Sequence, residues 1–216
     1  RGLGDVYKRQ IEQIMHSGNI TFADAEVRNI LIEHHADTDN DGHISYLEAY
    51  AINSLGKWFQ KTNVTSFDEF QYFVNVEQIV DEAFAICTGL TTITLPQSIN
   101  KIGRAAFANC ENLKAINIPQ NVTTIEEGTF SDCINIRQIY IPEKVRMIGN
   151  SAFYNCSNLN RIYCAPINPP IAGTSVWEFQ ALIGSRHIYV PTTSIDAYKG
   201  ADGWTEYVDW ITGYDF

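Results

Sequence analysis

The side chains best placed to do chemistry lie in one twelve-residue run, Asp37-Thr-Asp39-Asn-Asp41-Gly42-His43-Ile44-Ser45-Tyr-Leu-Glu48. Carboxylates stand at its first, third, fifth and twelfth positions and a hydroxyl at the ninth. A donor set made of oxygen, four of them charged, suits a hard divalent cation that takes six to eight oxygens, and calcium is that ion. Asp37, Asp39 and Asp41 would offer carboxylates, His43 its backbone carbonyl, Ser45 its hydroxyl directly or through a water, and Glu48 both oxygens. Gly42 would permit the sharp turn, with Ile44 packed beneath it. The plainer alternative is an acidic loop that only caps a helix. Four unpaired carboxylates on so short a loop repel one another, which favours a cation.

Such a loop has to be held at both ends. Phe22, Val27, Ile30, Leu31 and His34 keep helical spacing before it, and Leu47, Ala51, Leu55 and Trp58 after it. The loop with its flanks resembles an EF-hand. Gly18-Asn-Ile20-Thr21-Phe-Ala-Asp24 parallels Gly42 to Glu48 at an offset of 24, but Gln13, Met15 and Ser17 stand where its first carboxylates belong. That copy is expected to hold no calcium, while Ile20 pairs with Ile44 as a short strand bridge. A helix start, with Thr21 capping and Asp24 three residues on, is a compatible alternative. His34 and His35 point about 100° apart on a helix and chelate poorly; His34 is read as packed and His35 as solvated.

The elements downstream repeat. Phe84, Phe107, Phe130 and Phe153 are 23 residues apart, as are Cys87, Cys110, Cys133 and Cys156, then Leu90, Leu113, Ile136 and Leu159. Ile93, Ile116, Ile139 and Ile162 keep the same step, and Pro96, Pro119 and Pro142 follow. One fixed period in the twenties predicts a solenoid of stacked coils. Within a coil, Ile93 and Leu95 alternate with Thr92 and Thr94 as a short strand that Pro96 ends. An isolated coil buries too little apolar surface to offset the entropy of ordering its backbone, so the coils must stack. The repeated cysteines would then lie about 5 Å apart. A disulfide could bridge that gap, but a column of small buried thiols is the preferred reading.

The pattern L-x-x-I-x-I-P-x-x-V-x-x-I-x-x-x-x-F-x-x-C, starting at Leu90, Leu113 and Ile136, resembles the BspA-type leucine-rich repeats of bacterial surface proteins. That resemblance implies a curved stack, an extracellular or cell-surface setting, and adhesion or binding of a protein or glycan ligand on a host or microbial surface. The helix–loop–helix order followed by Thr65-Ser-Phe-Asp-Glu-Phe-Gln-Tyr-Phe73 is similar to the start of such proteins from gut Bacteroidetes. The His187-Ile-Tyr-Val-Pro191 to Phe216 tail looks like their usual ending.

The fold class is therefore α+β, a leucine-rich-repeat solenoid between two end units. Residues 11–62 form an EF-hand-like helical unit acting as the N-cap, or a dockerin-like assembly module. Residues 63–166 form the solenoid, and 167–216 an aromatic C-terminal cap. Val64-Thr-Ser-Phe67 echoes Val122-Thr-Thr-Ile125, and Phe73, Val76 and Ile79 read as a shortened first coil. Asn168-Pro-Pro170 is expected to break the register. Trp204, Tyr207, Trp210, Tyr214 and Phe216 either seal the last coil or offer a carbohydrate platform, sealing being preferred. Residues 1–10 are similar to translated transposon adapter sequence, so the natural start, with any signal peptide, is expected upstream.

The net charge of −10 is uneven. Residues 11–82 hold thirteen acids against Arg28, Lys57 and Lys61, whereas residues 83–216 hold eleven against nine basic residues. Neither part carries the Lys/Arg stripe that nucleic acid needs, and no apolar run is long enough to span a membrane. Nucleophile-elbow, phosphate-loop, zinc-helix and dinucleotide motifs are all missing, so the chain reads as a non-enzymatic binder, with a degradative fragment as a remote option. Gln138, Tyr140, Arg161 and Tyr163 fall on outward strand positions as an aromatic-basic patch suited to ligand binding.

Overall fold

The computed structural model describes residues 18–177 and 186–216. Gln13, Met15, Ser17 and residues 1–10 lie outside them. Among the described residues twelve short strands, numbered in chain order, fall into three parallel sheets. The first holds β1 (Ser66–Phe67), β3 (Thr92–Ile93) and β5 (Ala115–Ile116). The second runs β2 (Gln78–Ile79), β4 (Lys101–Ile102), β6 (Thr124–Ile125), β8 (Met147–Ile148) and β10 (Ile171–Ala172). The third runs β7 (Gln138–Ile141), β9 (Arg161–Cys164), β11 (His187–Pro191) and β12 (Ile211–Tyr214). Helices α1 (Ala25–Glu33) and α2 (Tyr46–Ala51) precede the strands, and α3 (Ile195–Gly200) lies between β11 and β12.

Each full coil contributes one strand to the first or third sheet and one to the second, so residues 23 apart become neighbours: Thr92 pairs with Ala115, Thr124 with Met147, and Gln138 with Arg161. Inside, the repeated rings stack. Phe84 and Phe107 lie 5.2 Å apart and 3° from parallel, Phe107 and Phe130 5.6 Å and 9°, and Phe130 and Phe153 5.4 Å and 16°. The column extends past the repeat visible in the sequence, to Phe59 at one end (5.4 Å from Phe84) and Trp177 at the other (4.7 Å from Phe153).

A third line of contact runs beside the rings. Phe84 N–H donates to Ala106 O, Phe107 to Thr129, Phe130 to Ala152 and Phe153 to Val176, at 2.8–3.0 Å. The cysteine thiols do the same: Cys110, Cys133 and Cys156 each donate to the phenylalanine carbonyl of the coil before, all at 3.1 Å. All five cysteines are free and buried. Burial pushes the Cys133 thiol up, and that of Cys156 to about 12, so those two are packing groups and not nucleophiles. Asn112, Asn135 and Asn158, also 23 apart, donate to the carbonyls of Thr88, Glu111 and Ile134. Buried Arg186 continues the ladder by donating to Ser157 and Leu159 carbonyls.

Three expectations change at the ends of the stack. Val64–Phe67 occupies the place of Leu90–Ile93, not of Val122–Ile125, because Ser66 and Phe67 pair with Thr92 and Ile93. The first coil is lengthened and not shortened: a 3₁₀ turn over Asp68–Tyr72 replaces the strand-ending proline segment. Past Tyr163 the register continues. Ile171 and Ala172 pair with Met147 and Ile148 at a step of 24, one residue longer, since Pro170 precedes the strand and costs it no ladder donor. Gly173 keeps the position of Gly149, where a Cβ would meet Glu127 N at 2.6 Å. The helix after the acidic loop is also shorter than its spacing suggests. It stops at Ala51, leaving Leu47 53% exposed, while Leu55 is buried from the irregular segment beyond.

The interior is continuous from Ile20 to Ile211. Val27, Ile30 and Leu31 of α1 belong to it, so the apolar face of that helix is spent on the stack. At the far end Trp204 is fully buried against Trp177 and Tyr198, with its Nε1 donating to Pro170 O at 2.8 Å. Tyr198 donates to Pro166 O at 2.6 Å. No described helix is long and apolar enough to cross a membrane.

Phe130 touches a ring above and a ring below and has no exposed surface. Phe130→Ala is expected to cost about 3–5 kcal/mol in urea unfolding, the range of a buried aromatic truncation; a loss below about 1 kcal/mol would place this ring outside the interior.

Candidate functional site

The acidic loop is built between two short supports. At its exit, Ser45 caps α2: its Oγ accepts from Glu48 N at 3.2 Å while Glu48 Oε2 accepts from Ser45 N at 2.8 Å. At its base, Asn19 and Ser45 form an antiparallel bridge, with Ile20 N–H donating to Ile44 O at 2.8 Å. The Ile20–Ile44 pairing is thus present. The helix start differs from expectation, since Asp24 and not Thr21 caps α1, accepting from Glu26 N at 2.8 Å. An aspartate next to the first helical turn outcompetes a threonine three residues upstream.

The metal candidates are brought only partly together. Carboxylate oxygens of Asp37, Asp39 and Glu48 lie within 4.8 Å of one another. Asp37 and Glu48 are buried, while Asp39 and Asp41 are exposed. Asp37 accepts from Asp41 N (3.2 Å) and Gly42 N (2.9 Å), which curls the loop around it. Gly42 has φ +83°, the left-handed geometry that glycine adopts freely. Asp41 faces its own backbone, accepting from His43 N at 2.8 Å, and stands apart from the three-carboxylate set. Burial alone would raise the Glu48 carboxyl, but Ser45 and Thr38, each donating from backbone and hydroxyl, outweigh it and hold it below the ordinary range. Oxygen-only donors, two of them buried, fit a hard cation better than a transition metal. Outside this set, the exposed ring of His34 stacks on Trp58 at 4.7 Å.

The loop unit is pinned to the stack by charge as well as by packing. Asp24 Oδ2 accepts from Thr65 N (2.6 Å) and Thr65 Oγ1 (2.9 Å), and Glu69 Oε1 accepts from Ala23 N (2.9 Å). Phe22 packs near Phe67, and Tyr46 meets Tyr72 edge-on.

The second candidate lies on the outward side of the third sheet. Gln138 and Arg161 are in register, as are Tyr140 and Tyr163. The row continues beyond the four residues named from the sequence. His187 joins Arg161, and Tyr189 joins Tyr163, with the two tyrosine rings stacked at 4.8 Å. Tyr214 reaches Tyr163 (5.4 Å) and Tyr189 (5.6 Å), and Phe216 bridges Tyr214 (5.0 Å) to Tyr140 (5.9 Å). The matching triplets Gln138-Ile-Tyr, Arg161-Ile-Tyr and His187-Ile-Tyr carried the signal for Tyr189. Nothing in the spacing foretold that the tail would fold back over β9 toward β7. Earlier coils present Thr94 and Asn117 at the tyrosine position, and both are engaged: Thr94 donates to Asp68, and Asn117 exchanges two hydrogen bonds with the Leu95 backbone. The aromatic cluster expected at the chain end therefore divides, Trp204 inward and Tyr214 with Phe216 outward.

Comparison with known proteins places this geometry. Residues 56–172 match the family described as BspA type Leucine rich repeat region, in six copies. Among solved structures, the leucine rich repeat protein of T. pallidum is 24% identical with a TM-score of 0.52, over 64% of this chain and 62% of that one. The pneumococcal vaccine antigen PcpA is 19% identical with a TM-score of 0.54, over 73% and 43%. A leucine rich cell surface protein from Faecalibacterium prausnitzii is 26% identical with a TM-score of 0.49, over 65% and 34%. The chain thus spans between about a third and three-fifths of the length of these proteins. No curated protein matches it.

Burial works against ionisation of Asp24, yet the donors on Thr65 and Glu26 more than offset it, so its carboxyl titrates below the ordinary value. A depressed folded pKa stabilises the fold above the unfolded value of about 3.9 and loses that contribution as pH falls through the folded one. Asp24→Ala should therefore melt below wild type near neutral pH, and the gap should close as the pH is taken below about 3.9. A gap independent of pH would mean that the charge does not hold α1 to the first coil.

Proposed function

Because the chain belongs to the BspA-type leucine-rich repeat proteins, we propose that it is a non-enzymatic binding or adhesion protein of the cell surface or extracellular space, with one structural calcium. The observation that carries the binding reading is the change in the outward face along the stack. Where Thr94 and Asn117 are tied to the scaffold, Tyr140, Tyr163 and Tyr189 form an aromatic row, the first exposed and the other two half-buried, beside exposed Arg161 and Gln138. Tyrosine and arginine give large contact area at low entropic cost and are enriched where partners dock. The scaffold beneath them is rigid by construction, so little order has to be created on binding. The partner is a protein or glycan on a host or microbial surface.

Calcium would serve the scaffold and not the ligand. Asp37, Asp39 and Glu48 would hold it, with Asp41, Ser45 and the His43 carbonyl completing the shell as the loop tightens. Neutralising the clustered carboxylates would fix α1 and α2 against the first coil. A dockerin-like engagement is disfavoured, since it needs the apolar face of α1 that Val27, Ile30 and Leu31 commit to the interior.

Binding of the purified protein to intact cells, read by flow cytometry, should fall at least about tenfold in the Tyr140→Ala, Tyr163→Ala double variant, a loss of hot-spot size. The melting temperature of Tyr140→Ala should stay near wild type; undiminished binding by the double variant would remove this face from the function. Separately, a chelator should lower the melting temperature of wild type and leave Glu48→Ala unmoved. Equal sensitivity of the two would take the ion away from this loop.

A further inference from the structure

The fold-back of the tail makes a groove that the repeat alone does not have. Between β7, the loop after β11 and residues 214–216 lies a cleft of about 550 Å³, open to solvent. Its volume falls within the roughly 300–1,000 Å³ usual for small-ligand sites. Three of the most exposed aromatic rings of the described chain line it together: Tyr140 (40% exposed), Tyr214 (42%) and Phe216 (49%). Gln120, Glu143 and Asp215 supply its polar edge, and none of its lining residues is Lys or Arg. Asp215 Oδ1 accepts from Thr192 Oγ1, another lining residue, at 2.9 Å. Burial, and after it the charge of Glu143, pushes the Tyr140 phenol upward, so it stays a protonated donor.

We infer that this groove binds a neutral glycan, with Tyr140, Tyr214 and Phe216 stacking on sugar rings and Glu143, Asp215 and Gln120 accepting from sugar hydroxyls. This deepens the surface-binding reading and rests on it. Three features choose this occupant. Carboxylates line the groove and no Lys or Arg does, the nearby Arg146 being spent on the Glu143 carbonyl, so sulfated, sialylated and uronic-acid chains, whose charges would meet Glu143 and Asp215, are disfavoured. Exposed flat rings beside carboxylates and an amide match a ligand with apolar C–H faces and many hydroxyl donors. An extended peptide would look instead for a free strand edge or deep side-chain pockets, and the cleft is a shallow groove walled by rings. The basic residues Arg161 and Arg137 lie toward the other end of the strands, where Gln138 and not Tyr140 stands, and take no part in it.

The test is a printed array of neutral and acidic glycans probed with the full chain, followed by calorimetry with the best neutral oligosaccharide, with sialyllactose and with tetramethylammonium. Saturable binding of a neutral oligosaccharide is expected. It should weaken at least about tenfold in Phe216→Ala and severalfold in Glu143→Gln, with melting temperatures unchanged because both side chains are exposed. Binding of acidic glycans alone, of tetramethylammonium alone, or of nothing on the array overturns the inference, as does neutral-glycan binding that both variants retain. The two readings separate cleanly. If whole-cell binding persists in wild type while no neutral glycan binds, the surface-binding role stands and the glycan assignment falls. If neither is seen, both fall.

Discussion

Every part of this chain answers to one constraint: a coil cannot satisfy its own backbone and must use the coil beside it. The backbone bonds beside the ring column, the thiol-to-carbonyl contacts and the asparagine ladder are three solutions to that problem, on different sides of the same turn. Each works only if equivalent residues lie directly over one another, so a single register serves all three. Stability is then a sum over neighbouring interfaces, and the two outermost coils are where it is short. The ends of the molecule read as remedies for that shortage. One is covered by α1 with its Asp24–Thr65 contact, the other by Trp204 against Trp177.

The stack was legible in the sequence because repetition amplifies a weak pattern. Ile93, Ile116, Ile139 and Ile162 say little singly and much together. What escaped notice lies where the repeat is stretched. Phe59 and Trp177 stand 25 and 24 residues from their neighbours, so a strict step of 23 passes over them although both complete the ring column. Val64–Phe67 falls out of the strict step for the same reason, since a 3₁₀ turn lengthens its coil. Asn112, Asn135 and Asn158 kept the step in plain view, but a polar residue at a turn is usually discounted as solvated. For the acidic loop, residue types and order were visible. The withdrawal of Asp41 toward His43 is a matter of backbone geometry that composition does not encode.

The outward surface changes character along the stack for a physical reason. Thr92 and Thr94 are occupied by Asp68, and Asn117 imitates a strand partner for Leu95, so the early coils spend their exposed side chains on the scaffold. In the third sheet, which begins at β7, strands are four or five residues long and the ladder closes without such help. Side chains freed from that duty can be aromatic. The division of the terminal aromatics follows the same logic: Trp204, on the chain between α3 and β12, faces the uncovered interior, while Tyr214 and Phe216 fall beyond it.

Because coils follow one another in space as they do in sequence, the acidic loop and the tyrosine row occupy opposite extremities. The five strands β2 to β10 alone make four steps, which at about 4.8 Å each is roughly 19 Å. An ion at one extremity and a guest at the other never touch. Whatever either knows of the other must pass hand to hand through intervening coils, and a close-packed column with one register offers no second arrangement to carry such news. Were both sites filled, the two occupancies would be independent, and the coils between them would act as a spacer.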